Sequence, residues 1–524
     1  MAESTSAPQG APDPDVMSLS DYRVGQDNVR RFGLDVHNPV FAIAAVMVVV
    51  FVVFTLSFPE QAADRFGALR PWLTTRFDWV FMASANIFVL VCVGIVLSPW
   101  GSIRLGGADA KPDFSRLSWF AMLFAAGMGI GVMFYGVLEP LNHFMAPPFG
   151  PESIDSPDRR ELAMAGTMLH WALHPWAIYA VVGLALAFFS FNRGLPLSIR
   201  SAFYPLLGER VWGWSGHVID ILAVFATLFG LAASLGYGAE QSSAGIAYLF
   251  NLPDGPVTQL LVIGFITLVA LVSVLRGIDG GVKRLSEINI AAAALLFLFV
   301  LSAGPTLDIL TRVASNTVGY VKHLPALSVW VGRDDGYYMH DWTTFYWSWW
   351  IAWSPFVGMF IARVSRGRTV REFLVCSLLI PSFVCIAWMT VFGGSAIDQY
   401  VVDGYQGVAS TINNWAPELA MFRFLEQLPL TGLTSLVAIG LVMVFFITSM
   451  DSGSLVIDTI TAGGKIDTPV GQRVFWCIVS GLIAAALLLG GGLGSLQALT
   501  LAAGFPFCLV LLVMCYSTIK GLHQ

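Results

Sequence analysis

Apolar residues occur along this chain in long runs, separated by short segments that hold most of its charges. A run of about 20 apolar residues is long enough to cross a hydrocarbon core about 30 Å thick as a helix. The pattern therefore predicts an all-α polytopic membrane protein with twelve transmembrane helices. The predicted spans are 39–57, 78–98, 117–143, 161–191, 217–248, 257–275, 286–304, 341–364, 371–396, 430–461, 473–490 and 496–519.

The composition and the placement of charge agree with a membrane protein. Of the 524 residues, 56% are hydrophobic and 12% are charged, whereas about a quarter of a soluble domain is charged. If both termini are cytoplasmic, the inner segments hold 19 of the 28 lysines and arginines. Because positive charge concentrates on the cytoplasmic side, this predicts a multi-pass protein of the cytoplasmic (inner) membrane with both termini inside.

The predicted eighth span carries an unusual aromatic face. Tyr346, Trp349, Trp350 and Trp353 follow an i, i+3, i+4, i+7 pattern, so one side of the helix presents all four rings. Pro355 follows and removes a backbone hydrogen bond from the helix. Indole normally lies at membrane interfaces, but these rings fall near the middle of the span, where a binding site is one explanation.

The third span is also irregular, because Gly127, Gly129 and Gly131 each weaken a helix by about 1 kcal/mol relative to alanine. Close helix packing through small residues is an equally good explanation. The third and eighth spans are five spans apart, however, and interrupted helices at matching positions indicate inverted repeats around a transport site. Spans 3–7 and 8–12 would form the two repeats.

Two further spans contain candidate ligands. In the fourth, Trp171, Trp176 and Tyr179 could join the eighth-span rings around a cation without N–H groups, such as a quaternary ammonium, which aromatic faces attract; core packing is the alternative. In the tenth, Thr448 and Ser449 offer hydroxyl oxygens to a small cation such as Na⁺. They could instead bond back to their own helix.

Two histidines of the fourth span, His170 and His174, lie at i, i+4 and could form a metal pair. The chain has eight histidines in all, and the others are scattered. We therefore expect histidines that make hydrogen bonds. No metal set or nucleophile constellation indicates an enzyme, and no organic or transition-metal cofactor is expected.

Five strings in order resemble the betaine/choline/carnitine transporter family: AAGMGIGVMFYGVLEP, HWALHPWAIY, ATLFG, FYWSWWIAWSPFVGMFIARVSRGR and FFITSMDSGS. The resemblance covers the chain from about the first span to its end. It implies a twelve-helix, inverted-repeat (5+5) sodium-symporter fold of the LeuT type with two extra N-terminal helices, usually assembled as a homotrimer.

The resemblance also implies roles for individual residues. The substrate site would comprise Trp171, Trp176, Tyr179, Trp349, Trp350, Trp353, Gly127, Met128, Gly129 and Gly131. One Na⁺ site would use Ala125, Met128, Phe445, Thr448 and Ser449, and a second would use Thr227 and Phe356. Gly131 stands where choline carriers tend to have an acid, which favours a zwitterion. Leu231 replaces a threonine of the second sodium site.

These expectations divide the chain into a polar, mobile cytoplasmic tail (1–38), two peripheral helices (39–116), a first repeat (117–304), an amphipathic surface helix with an external loop (305–340), a second repeat (341–519) and a short cytoplasmic C-terminus (520–524). The expected function is Na⁺ symport, by alternating access, of a zwitterion such as glycine betaine or its sulfonium analogue dimethylsulfoniopropionate. Sodium-independent exchange of carnitine-like solutes and a non-transporting membrane sensor are the alternatives. The expected partners are the substrate, Na⁺, the lipid bilayer and further copies of the same chain. Binding to nucleic acid is not expected.

Overall fold

The computed structural model describes residues 19–127, 129–153, 155–253, 255–276 and 282–524. Apart from one β-hairpin, β1 (Asn28–Arg31) with β2 (Leu34–His37), the regular structure there is helical. The α-helices are α1 (Val40–Ser57), α2 (Pro59–Leu97), α3 (Arg116–Gly127), α4 (Ile130–Met145), α5 (Arg159–Trp171), α6 (Leu173–Ala187), α7 (Tyr204–Leu207), α8 (Trp214–Phe250), α9 (Pro256–Arg276), α10 (Val282–Ala303), α11 (Thr306–Ser328), α12 (Thr344–Arg363), α13 (Val370–Met389), α14 (Ser395–Val401), α15 (Gly407–Asn413), α16 (Ala420–Leu425), α17 (Thr431–Thr461), α18 (Val470–Leu489) and α19 (Gly492–His523). Shorter 3₁₀ segments are Pro99–Ser102, Pro151–Ser153, Ile199–Phe203, Gly208–Trp212 and Pro417–Leu419, and π-helical segments are Phe188–Asn192, Tyr337–Thr343 and Thr390–Gly394.

Ten helical segments of the described chain are long and apolar enough to cross a membrane. An eleventh candidate is the pair Arg116–Ala125 and Ile130–Met145, whose axes differ by 63°. The all-α polytopic character is therefore confirmed, while the count of twelve spans and the inverted-repeat fold stay predictions.

The predicted eighth span is helical but is not among these ten. It forms the π-helical segment Tyr337–Thr343 and then α12. Its tryptophans and tyrosines carry polar N–H and O–H groups that lower its hydropathy. Because α12 packs against α6, α8 and α19 and most of its side chains are buried, it does not need the uniformly apolar surface of a lipid-facing helix.

Some predicted boundaries differ from the structure. The second span was predicted to begin at residue 78, but α2 begins at Pro59. The segment before residue 78 contains Arg65, Arg70 and Arg76, so its helical periodicity is hidden from a search for apolar runs. Residues 520–523, predicted as part of a separate C-terminus, continue α19.

The fourth span is broken at Ala172, whose backbone angles of φ −102° and ψ −119° separate α5 from α6. Pro175 then falls in the first turn of α6, where backbone N–H groups have no partner within the helix. The N–H of Leu173 donates instead to the Tyr320 hydroxyl of α11 at 3.2 Å. An unwound backbone within a membrane needs such partners from surrounding protein.

Residues 19–38 do not form the mobile tail predicted from their polar composition. They pack against the segment that precedes α8, where the buried guanidinium of Arg200 is 3.0 Å from both the Tyr22 hydroxyl and His37 Nε2. Asp220 forms an ion pair with Arg200 at 3.2 Å. The side chains that hold this segment come from a part of the sequence about 160 residues away, which local polarity does not reveal.

Asp35 fastens the hairpin to the loop between α17 and α18. Its carboxylate lies 2.6 Å from Lys465 Nζ and 2.8 Å from Asn28 Nδ2, and its backbone N–H donates to Gln472 at 2.6 Å. Burial alone would raise the pKa of Asp35, but the hydrogen bonds from Lys465 and Asn28 and the nearby positive charges outweigh burial and lower it.

We expect Asp35→Asn to loosen the hairpin at neutral pH, measured as faster amide hydrogen exchange over residues 28–37. A carboxyl with a lowered pKa in the folded state stabilises that state above its unfolded pKa of about 3.9, and this contribution is lost as pH falls through the folded value. The unmodified protein should therefore lose protection of the hairpin at pH below about 4, after correction for intrinsic exchange. Asp21→Asn, in an exposed part of the same segment, is the control, and equal exchange in Asp35→Asn and unmodified protein would contradict the assignment.

Candidate functional site

A cavity of about 280 Å³ lies at the centre of the helix bundle. It is bordered by the junction of α3 and α4, by α5 and α6, and by α8, α10, α12 and α17. Twelve of the predicted site residues line it: Ala125, Gly129, Gly131, Trp171, Tyr179, Trp349, Trp350, Trp353, Phe356, Phe445, Thr448 and Ser449. Predicted site residues from four of the predicted spans, the third, fourth, eighth and tenth, therefore meet in one place.

The predicted aromatic cage is assembled around Trp350. Its ring centroid lies 5.4 Å from that of Trp171, 6.1 Å from Trp176 and 5.2 Å from Tyr179. Trp176 is the exception, since it does not line the cavity and packs behind Tyr179 at 5.4 Å. Trp176 therefore supports the rings that face the cavity, and its contact with substrate stays a prediction.

Hydrogen bonds from the indole N–H groups fix most of these rings. Trp350 differs, because its Nε1 has no hydrogen-bond partner among the described residues, so ring contacts alone hold it. A cation in the cavity would meet aromatic faces, which attract positive charge. Each of the other four rings donates its indole N–H to a neighbouring group. The pairs are Trp171 with Glu139 Oε2 (2.7 Å), Trp176 with the Trp171 carbonyl (3.2 Å), Trp349 with Ser234 Oγ (3.1 Å) and Trp353 with the Gly230 carbonyl (2.8 Å).

The glycine stretch interrupts the third span, as predicted. Helix α3 ends at Gly127, and Gly129 is extended (φ −169°, ψ −173°) before α4 begins at Ile130. The predicted contributions of Met128 and of the surroundings of Gly127 lie outside the described residues. Since Gly129 and Gly131 both line the cavity, the backbone at the start of α4 is available to a ligand.

The first predicted ion site is brought together on one side of the cavity, where Ala125, Phe445, Thr448 and Ser449 all lie. The hydroxyl of Thr448 is within 3.0 Å of the Val444 carbonyl and 3.2 Å of the Phe445 carbonyl, so it does bond back to its own helix. A hydroxyl that donates its one proton keeps two lone pairs. Thr448 can therefore still coordinate a cation.

The second predicted ion site is not assembled around this cavity. Phe356 lines it, but Thr227 does not, and the buried Thr227 hydroxyl donates to the Ala223 carbonyl at 2.8 Å. Leu231 packs tightly on α17, because a Cβ placed on Gly453 would be only 2.8 Å from its Cδ2. An apolar contact thus occupies the place of the missing threonine.

The two histidines of the fourth span make hydrogen bonds to different partners. His174 Nε2 is 2.9 Å from Asn86 Oδ1, whereas His170 Nδ1 is 2.6 Å from Glu139 Oε1. They do not converge as a metal pair, so the prediction of hydrogen-bonding histidines is confirmed.

Glu139 is a candidate functional residue that sequence reasoning missed. It is fully buried in α4 and lies beside the cage in space, although no acid lies near the cage tryptophans in sequence. Its Oε2 accepts from Trp171 at 2.7 Å and from the Tyr346 hydroxyl at 2.5 Å. The available signal was an acid inside an apolar run, which by default marks a functional position.

Comparison with known proteins identifies the family. Residues 39–524 match the family described as "BCCT, betaine/carnitine/choline family transporter". The chain belongs to this family. It is therefore a betaine/carnitine/choline-family transporter and not an enzyme.

Curated relatives of this transporter extend over nearly its whole length. A glycine betaine/proline/choline transporter of Vibrio parahaemolyticus is 55% identical over 531 residues, covering 98% of this chain and 95% of the relative. Glycine betaine transporter 1 of the same organism is 52% identical over 510 residues, covering 96% and 97%. The glycine betaine transporter of Acinetobacter baylyi is 40% identical over 490 residues, covering 93% and 73%.

Gly131 determines how closely the transporter's backbone approaches the cage. A Cβ built on Gly131 would lie 2.6 Å from Trp171 Cη2 and 3.2 Å from Trp349 Cη2, so any side chain there must displace an indole. None of the described residues would lie within 4 Å of a Cβ on Gly129. The two glycines are therefore a matched pair for substitution, because packing excludes a side chain at Gly131 but not at Gly129.

We expect Gly131→Ala to destabilise the transporter by about 1–3 kcal/mol, the usual cost of overpacking a filled interior, and to weaken ligand binding by shifting Trp171. Gly129→Ala should leave both properties nearly unchanged. Thermal unfolding of the two purified variants, with ligand titration by tryptophan fluorescence, measures the difference. Equal unfolding temperatures and equal affinities in the two variants would show that the Trp171 ring does not rest on Gly131.

Proposed function

We propose that this transporter imports a zwitterion with a quaternary-ammonium or sulfonium head, of the glycine betaine type, by Na⁺ symport with alternating access. The observation that carries the proposal is the convergence of the Trp171, Tyr179 and Trp350 rings on one cavity. Each ring–cation contact contributes about 0.5–2 kcal/mol when water is excluded. The relatives named as glycine betaine transporters support the same class of substrate.

The charge of the cavity lining favours a zwitterion over a simple cation. None of the described residues that line it is Asp, Glu, Lys or Arg. A substrate that brings its own carboxylate or equivalent anion leaves no net charge to be neutralised. The start of α4, with Gly129 and Gly131 on the cavity, offers free backbone N–H groups and the positive end of the helix dipole to that anion.

Sodium coupling rests on the oxygen atoms beside the cage. Thr448 and Ser449 line the cavity together with Ala125 and Phe445, so a bound Na⁺ and the substrate would share one cavity. The alternative of sodium-independent exchange is favoured by one observation, which is that Thr227 does not line the cavity while Leu231 packs against Gly453. We therefore propose coupling through the first ion site alone.

The remaining expectations belong to the same proposal. The transporter would cross the cytoplasmic membrane twelve times in the LeuT-like inverted-repeat arrangement, with both termini in the cytoplasm. It would assemble as a homotrimer, for which α11 is a suitable contact. This helix shows exposed apolar side chains at Leu307, Leu310, Val318 and Val321.

We expect Trp350→Ala to raise the KM for glycine betaine uptake by roughly 10- to 30-fold, because one desolvated ring–cation contact is lost. Uptake of radiolabelled glycine betaine into cells or proteoliposomes gives the KM, and the amount of protein in the membrane should not change. Trp79→Ala is the control, since Trp79 lies on α2 and is 54% exposed. Unchanged kinetics in Trp350→Ala would remove this ring from the binding site, and competition by dimethylsulfoniopropionate, carnitine and proline in the same assay would rank the substrates.

We expect accumulation in proteoliposomes only when Na⁺ is present outside and its electrochemical gradient points inward. One Na⁺ entering down a potential of 100 mV contributes about 2.3 kcal/mol and a tenfold gradient about 1.4 kcal/mol, which together support roughly 500-fold accumulation. Replacing both Thr448 and Ser449 by alanine should raise the Na⁺ concentration that gives half-maximal uptake.

Thr459→Ala is the matched control for this experiment. Thr459 lies on the same helix, donates to the Leu455 carbonyl at 2.9 Å and does not line the cavity. Uptake that needs internal substrate and ignores Na⁺ would establish exchange and overturn symport. Ligand binding without any uptake would instead indicate a sensor.

A further inference from the structure

The carboxylate of Glu139 joins three helices immediately behind the aromatic cage. Oε1 lies 2.6 Å from His170 Nδ1 and 3.3 Å from His143 Nε2. Oε2 accepts from Trp171 Nε1 at 2.7 Å and from the Tyr346 hydroxyl at 2.5 Å. A carboxylate has about four lone-pair positions, so α4, α5 and α12 together satisfy all of them.

The hydrogen bonds around His170 show how this buried charge is balanced. The Thr343 hydroxyl donates its proton to the Tyr338 carbonyl at 3.1 Å, so it can only accept from His170 Nε2, which is 2.9 Å away. A proton on His170 Nε2 fits this arrangement, and one further proton is shared between Nδ1 and Glu139 Oε1. Both side chains are then fully hydrogen-bonded, which is the condition for keeping polar and charged groups in a buried site.

A metal ion is the other arrangement that these side chains suggest, because ligand atoms of Glu139, His143 and His170 lie within 4.8 Å of one another. The separation of 2.6 Å between Oε1 and His170 Nδ1 is a hydrogen-bond distance. The other oxygen already has two donors, Trp171 and Tyr346. The contacts are thus those of a hydrogen-bonded network.

We infer that Glu139 is a positioning residue for the onium cage, acting through Trp171 and Tyr346. This inference rests on the proposed function and adds to it a residue that does not line the cavity. The carboxylate holds the N–H edge of the Trp171 ring, and that ring lines the cavity in which the substrate cation would lie. It also fixes Tyr346, whose ring centroid is 5.4 Å from that of Trp171.

The anion also makes the cage more attractive to a cation. An indole N–H that donates to a carboxylate gains electron density in its ring, since hydrogen-bonded groups polarise one another in a low-dielectric interior. A ring face with more electron density binds positive charge more strongly. Because Glu139 lies at the N–H edge of Trp171 and not in the cavity, it strengthens binding of the onium head without offering a carboxylate that would compete with the substrate's own anion.

Glu139→Gln tests the inference, because it keeps the shape of the side chain but replaces one acceptor oxygen by an NH₂ group. Purified full-length protein is titrated with glycine betaine by tryptophan fluorescence, and uptake is measured in proteoliposomes. We expect Kd and KM to rise about tenfold or more while the maximal rate changes less than about threefold, the pattern of lost binding without loss of turnover. Equal Kd in the variant and the unmodified protein would overturn the inference.

A double-mutant cycle with Trp171→Phe separates positioning from general destabilisation. Trp171→Phe removes the N–H donor, so Glu139→Gln should have a much smaller effect in that background if it acts through Trp171. Additive effects would overturn the inference. Glu161→Gln is the matched control, because Glu161 lies on the same helix as Trp171 but pairs with Lys322 and His323 outside the cage.

Two further results keep the test decisive. If Glu139→Gln does not fold, Tyr346→Phe removes a single donor to Oε2 and keeps the ring, and we expect it to raise Kd about two- to fivefold; an unchanged Kd would overturn the inference. If the unmodified protein binds no glycine betaine, dimethylsulfoniopropionate or carnitine, the proposed function fails and the inference with it. Normal binding by the unmodified protein and by Glu139→Gln would reject the inference alone.

Discussion

The structure depends on one constraint, which is that polar groups at the centre of the membrane must find their partners within the protein. The aromatic helix α12 meets it by directing its indole N–H groups to neighbouring helices, with Trp349 donating to Ser234 and Trp353 to the Gly230 carbonyl of α8. The broken fourth span meets it through the bond from Leu173 to Tyr320. Such bonds are available only where helices pack against one another, so the irregular helices and the tryptophan-rich helix are surrounded by other helices, and the space between them becomes the cavity.

Apolar runs predicted the membrane-crossing helices well wherever a helix faces lipid, because lipid demands an apolar surface of fixed length. Apolar runs failed to predict the features that are set by contacts between distant parts of the chain and not by contact with lipid. Helix α2 begins at Pro59 with a charged segment that no apolar run reveals, and the break in the fourth span lies at Ala172, three residues before Pro175. The packing of residues 19–38 depends on Arg200, a partner distant in sequence. Helical pattern is local information, whereas these features are set by tertiary contacts.

The same distinction applies to the site. The shared face of Trp349, Trp350 and Trp353 follows from helical periodicity, and all three line the cavity. Glu139 could not be placed in this way, because it reaches Trp171 across 32 residues and Tyr346 across 207. Whether a hydroxyl group faces the cavity was the hardest property to predict from the sequence. Thr448 and Thr227 both bond back to their own helices, yet only Thr448 faces the cavity, and the difference lies in how the helices rotate against each other.

In the proposed symport, ion and substrate would share this cavity, so their charges would take a direct part in coupling. A sodium ion beside Thr448 and an onium head against Trp350 carry the same sign, and two unit charges about 8 Å apart repel by about 2 kcal/mol at an effective dielectric constant near 20. A simple cation would therefore oppose the binding of its own coupling ion. The anion of a zwitterion lying between them reverses the sign of that interaction, so each favours the binding of the other. No acidic side chain is found among the described residues that line the cavity, so in the proposed symport the negative charge that makes co-binding favourable would have to come from the substrate itself.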